Sequence, residues 1–163
     1  MSTGGALDVI PTGAIAGLVG TLVMDSLNFL VARTRLVSRI DVATIGRMAA
    51  GWARGRFRYA HPNEMQQVRN EALIGLVTHY AIGVFLWVPF VAGWSYMIGS
   101  SPSPLWALVY GTATTMASWF YVYPSMGLGV FGLRSPEGMK ATLSSLANHL
   151  FYGLGLAIGI AVL

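Results

Sequence analysis

The ionisable residues of this chain are sorted into blocks, and that sorting limits what the chain can become. Four long stretches hold at most one Asp, Glu, His, Lys or Arg each: Val9–Ala32 (Asp25), Ala72–Met97 (His79), Leu105–Val122 (none) and Ala141–Leu163 (His149). Each is close to the ~20 residues an α-helix needs to cross a bilayer core, the third being the shortest. Of the 163 residues only 10% are charged, against about 25% in soluble domains. The pattern predicts an all-α, polytopic membrane protein: one domain over residues 1–163, with four transmembrane helices (about 9–32, 72–97, 105–122 and 141–163) in a bundle. The first stretch is not expected to be a secretory signal, because Asp8 precedes it and its basic residues follow it. There is no cysteine, which excludes disulfides, iron–sulfur ligation and thiolate chemistry.

All ten Lys and Arg lie in two connections: eight arginines from Arg33 to Arg69, then Arg134 and Lys140. By the positive-inside rule both connections are cytoplasmic, so both termini face the other side. The net charge of +4 is then topology charge, and no nucleic-acid partner is inferred. In the first connection Val42, Ile45, Met48, Ala49 and Trp52 recur at helical spacing, with Arg47 and Arg54 off that stripe. This predicts a short helix lying in the membrane interface. Arg54, Arg56 and Arg58 are candidates for contact with lipid phosphates or with a phosphate-bearing ligand. In the second connection Pro124 stops the third helix. The apolar, glycine-rich stretch Met126–Leu133 should dip into the membrane edge or pack against the bundle. Ser135, with Pro136 next and Glu137 behind it, reads as the start of the fourth helix.

The three intramembrane ionisable residues share a depth. Asp25 lies eight residues from Arg33, His79 eight from Glu71 and His149 nine from Lys140. At 1.5 Å per residue, each sits about 12–14 Å from the cytoplasmic end of its helix. Their faces agree too. His79 has Gly75 and Gly83 four residues away, His149 has Ser145 and Gly153, and Asp25 has Thr21, with Asn28 one turn below. Small residues mark helix contacts in membranes, so all three groups should point inward, with Asn148 completing a polar cluster. Gly13-x-x-x-Gly17 and Gly155-x-x-x-Gly159 add further positions of close packing.

Four roles suit such a cluster: a hydrogen-bonded scaffold that sets helix register, a metal site with Asp25, His79 and His149 as ligands, a b-type haem held by His79 and His149, or a proton or ion pathway. His61, in a loop before a proline, is assigned to the surface. No nucleophile–base pair stands out. Ser26 and Ser145 are near the cluster, but helical serines usually bond their own backbone.

In order along the chain, GTLVMDSLN, GRMAAGWARGRFRYAH, GLVTHYAIG, YPSMGLGVFGLRSP and LANHLFYGLGL resemble a bacterial membrane-protein family labelled domain of unknown function 2938. The resemblance runs from about Gly17 to the end. It implies a small inner-membrane protein and no particular activity, and it implies that Asp25, His79, Pro124, Gly127, Gly129, Pro136 and His149 belong to the family pattern. The leading expectation is a non-catalytic accessory or interaction component of the inner membrane. It would contact membrane lipids and associate with itself or a larger complex, with Trp87, Trp94, Trp106 and Trp119 available for those contacts. The alternatives are a membrane enzyme or redox carrier with a metal or haem at the cluster, and a proton or ion pathway component.

Overall fold

The computed structural model describes residues 4–163, with side chains from Val9 onward; the Asp8 side chain is therefore outside what is described. All regular structure among the described residues is helical. Helix α1 (Gly4–Ala32) is followed by α2 (Val42–Trp52), a 3₁₀ turn at Pro62–Glu64 and α3 (Glu71–Ile98). The third apolar segment is built from α4 (Pro104–Ala113), α5 (Thr115–Ala117), a π-helical stretch at Ser118–Val122 and α6 (Tyr123–Ser125). A 3₁₀ turn at Val130–Gly132 leads to α7 (Met139–Val162).

Three helical runs are long and apolar enough to cross a membrane: Val9–Ala32, Glu71–Ile98 and Met139–Val162. The third segment, expected as one uninterrupted helix, is interrupted. Its threonines explain the break. The hydroxyl of Thr112 donates to Leu108 O (2.8 Å), that of Thr114 to Gly111 O (2.5 Å) and that of Thr115 to Thr112 O (2.7 Å). Such back-bonds compete with the helical ladder and bend it, and the π stretch follows directly.

Helix α1 packs on both α3 and α7, and α4 packs on α7. Helix contacts in a membrane need small residues, because no water is released between apolar surfaces. The chain supplies them at each crossing. A Cβ added to Gly155 would lie 2.7 Å from Gly20 Cα, one on Gly17 2.9 Å from Val84 Cα, and one on Gly111 2.4 Å from Gly153 Cα. Both GxxxG pairs therefore lie at contacts, Gly13 against Val91 and Gly159 against Ala16. The buried core joins Ala16, Met24, Trp87, Val91, Ala107, Tyr152 and Leu156. Trp87 is fully buried and packs on Phe90 and Tyr110, so it is not available for lipid or partner contact.

Helix α2 occupies the expected residues. Asp41 caps it by accepting from the N–H groups of Ala43 and Thr44. Its stripe residue Met48 is buried with Tyr59, Met65 and Met126, so that face packs on protein. The glycine-rich stretch also packs on the bundle. Phe131, at φ 58°, packs its ring at a tilt against Trp119 and edge-on to Phe120, and its carbonyl accepts from Thr142 (2.5 Å). Ser135 and Pro136 do not begin the fourth helix. Ser135 Oγ accepts from Glu137 N in a local turn, and α7 starts at Met139 after Gly138 at φ 53°. The local Ser135–Glu137 bond holds a turn and does not cap a helix, because Gly138 at φ 53°, ψ −131° interposes a non-helical residue.

The α2–α3 contact is backbone on backbone. A Cβ on Gly75 would fall 1.6 Å from Val42 O, and one on Gly46 1.9 Å from Glu71 O. Gly75→Ala should therefore destabilise the protein by about 1–3 kcal/mol through overpacking, despite the better helix propensity of alanine. Gly93→Ala, in the same helix but with nothing within 4 Å of the new Cβ, should leave stability unchanged or raise it. Thermal unfolding of the two variants in mild detergent compares them, and equal melting temperatures would refute the contact.

Candidate functional site

Between α1, α3, α7 and the π-helical stretch lies a cavity of about 690 Å³, within the ~300–1,000 Å³ of ordinary small-molecule sites. Its lining changes along its length. Thr21, Gly83 and Tyr152 close the inner end, where Tyr152 Oη donates to Gly83 O (2.5 Å). Met24, Ile82, Leu86 and Val122 form apolar walls, and Arg39, His61, Arg134 and Glu137 stand at the loop end.

The five residues of the expected polar cluster divide into three hydrogen-bonded groups. His79 Nε2 is 2.9 Å from Asp25 Oδ1, which pairs α3 with α1 at the expected level. Asn28 Nδ2 donates to Asn148 Oδ1 (2.9 Å) and to Ser38 O (2.9 Å), while Asn28 Oδ1 accepts from Ile40 N (3.2 Å). The Ile40 N–H and Ser38 carbonyl together fix which Asn28 atom is nitrogen. They thereby fix Asn148 Oδ1 as the acceptor and leave Asn148 Nδ2 as that residue's remaining donor. His79, Asn148 and His149 line the cavity; Asp25 and Asn28 are the partners of two of them. Among the described residues no three His, Asp or Glu side chains gather as a metal-ligand set.

His149 turns away from Asp25 toward the third segment. Its Nδ1 is 2.8 Å from Thr114 Oγ1 and its Nε2 is 2.8 Å from Ser118 Oγ. The hydrogen-bond inventory sets the tautomer. Thr114 has one hydroxyl proton, and it is committed to Gly111 O at 2.5 Å. Thr114 Oγ1 can therefore only accept from His149, so Nδ1 carries the proton and Nε2 presents its lone pair. Ser118 then donates to Nε2. Unlike Ser26, whose hydroxyl bonds Leu22 O at 2.8 Å, Ser118 makes no bond to its own helix backbone among the hydrogen bonds of the described residues. Ser118 and His149 both line the cavity.

Ser118 and Thr114 give little signal in the sequence, because the third segment has no ionisable residue. The available signal is their spacing: two hydroxyls four residues apart share a helix face.

At the loop end, Ser38 donates to Glu137, and Lys140 lies 3.3 Å from it. The Ser38 hydrogen bond, with the Lys140 ammonium behind it, holds the Glu137 carboxyl below the usual carboxylate range. Arg39 and Arg134 carry no carboxylate partner among the described ion pairs; Arg134 donates to Ala60 O at 3.4 Å. Arg47 forms a two-pronged pair with Glu71 (2.7 and 2.8 Å), and this hydrogen bonding raises its pKa. His61, assigned to the surface from sequence, is exposed but borders the cavity. Its backbone is held against Gly127, where a Cβ would lie 2.5 Å from His61 C. Arg54, Arg56 and Arg58 are exposed and away from the cavity; Arg56 pairs with Glu64 and lies over the Tyr59 ring at 4.2 Å.

No curated protein and no solved structure shows significant similarity to this chain. A family described as "Protein of unknown function (DUF2938)" matches residues 14–163, a span that contains every residue lining the cavity. The chain belongs to that family.

Proposed function

We propose that this protein is a small accessory component of the bacterial inner membrane that crosses the bilayer four times and holds one amphiphilic molecule in its cavity. The observation that carries this reading is the change of the cavity lining from apolar walls to a charged mouth. A ligand with an apolar body and a polar or anionic head satisfies both ends, with the head beside Arg39 and Arg134.

The fourth crossing is the segment from residue 104 to 125. Helical dihedrals persist at its joints, at Thr114 (φ −62°, ψ −10°), Ser118 (−63°, −47°) and Tyr123 (−61°, −47°). At 1.5 Å per residue this run reaches ~33 Å, enough for a hydrocarbon core. Helix α2 lies at the cytoplasmic interface, and Arg54 and Arg58 face lipid phosphates there. Exposed Leu22, Phe85 and Leu150 meet acyl chains.

The natural absence of cysteine makes topology directly measurable. Ser101→Cys should react with a membrane-impermeant maleimide from the periplasmic side of spheroplasts, and Arg54→Cys only after permeabilisation. The reverse pattern would refute the orientation, and reaction of both from one side would refute the span count. For the cavity, a dansyl-labelled fatty acid should bind the detergent-purified protein saturably at one site. Ile82→Trp, which fills the cavity wall, should abolish that binding, whereas Ile158→Trp on the exposed face of α7 should not. Non-saturable uptake, or equal binding by a folded Ile82→Trp variant, would refute the reading.

A further inference from the structure

The geometry points to an acyl-transfer centre in this cavity, in which Ser118 is the nucleophile, His149 its general base and Thr114 the residue that positions the imidazole, acting on the carboxylic ester of an amphiphile. This rests on the amphiphile-binding reading and adds chemistry to it. The three parts that nucleophilic catalysis needs are in place. The nucleophile's hydroxyl is 2.8 Å from Nε2, the base is oriented through Nδ1 at 2.8 Å, and both reacting groups open on a ligand-sized space. Ser118 also begins the π-helical stretch, a local distortion that recurs at functional sites. Asn148, beside His149 on the same wall, has an amide N–H left over for a developing oxyanion.

Ser118 Oγ attacks the ester carbonyl carbon as its proton passes to His149 Nε2. Collapse of the tetrahedral intermediate breaks the bond to the alcohol oxygen, and that oxygen takes the proton from Nε2. The products are acyl-Ser118 and the free alcohol. Water, or the hydroxyl of a second alcohol, then attacks the acyl carbon and gives its proton to Nε2, and Ser118 Oγ leaves with that proton. The imidazolium formed on the way is steadied by a hydroxyl dipole at Thr114, where the familiar triad has a carboxylate. The base is correspondingly weaker, which suits an ester and not the poorer leaving group of an amide.

The test is labelling of the full chain in mild detergent with a decyl fluorophosphonate, with the adduct located by peptide mass spectrometry. The expected result is one adduct per chain on Ser118. His149→Gln should slow labelling by about 10²–10⁴-fold, the usual contribution of a general base. Thr114→Val should slow it while leaving dansyl fatty-acid binding unchanged, and Thr114→Ser should restore it. An adduct on another serine overturns the assignment, as does wild-type labelling rate in His149→Gln. No adduct on a protein that still binds the fatty acid overturns the chemistry and leaves the binding reading standing. No adduct and no binding overturns both. The wild-type mass measurement is decisive even if Ser118→Ala fails to fold.

Discussion

Close backbone approach is the constraint on which the rest of the bundle depends. In a bilayer, lipid tails are as apolar as the side chains, so helices associate by fitting together and not by expelling water. Helix α1 meets α7 at Gly20 and Gly155 and meets α3 at Gly17 and Val84, at distances no larger residue tolerates. These contacts draw α3 and α7 tightly onto α1 at the closed end of the cavity. Toward the loops, α3 and the third segment part, and the space between them becomes the cavity. Tyr110, whose hydroxyl reaches Leu86 O at 2.5 Å, marks the level where they still touch.

Polar groups placed in such a bundle need partners, because none are supplied by lipid. The partners found here are mostly between helices, and they have different jobs. Asn28 joins α1 to α7 and to the backbone of the connection that follows α1. Asp25 and His79 join α1 to α3. His149 alone spends both ring nitrogens on hydroxyls of the third segment. The first two arrangements tie helices together. The third ties helices and also leaves a serine proton aimed at a basic nitrogen within an accessible space.

Much of this is legible in the sequence. The segregation of charge locates the apolar helices, and the glycines four residues from His79 and His149 do lie at helix contacts. Depth arithmetic puts Asp25, His79 and His149 at one level, and Asp25 and His79 do meet there. Depth cannot tell, however, which of two neighbouring helices a ring turns toward. His149 is level with Asp25 but faces α4 and the π stretch. A search guided by titratable groups also cannot see a segment whose chemistry resides in threonine and serine hydroxyls. The helix start at Ser135 is misread because Ser-Pro-Glu makes a good turn as well as a good cap, and Gly138 decides between them through a dihedral only the fold determines.

The π-helical stretch at Ser118–Val122 has a consequence for how this segment can vary. A π turn accommodates one residue more than the α-helix around it, and one residue is about 100° of rotation. The two halves of the third segment are thus out of phase. The half before the turn lays Gly111 against α7, while the half after it directs Val122 and Tyr123 to the cavity. In a regular helix Val122, eleven residues on, would return to within about 20° of Gly111 and share its face, whereas the wider turn rotates it away from α7. The extra residue works as a phase shift, so the segment's length is held to the residue here: an insertion or deletion that a connecting loop would absorb would, within 118–122, swing one half of its contacts away from the bundle.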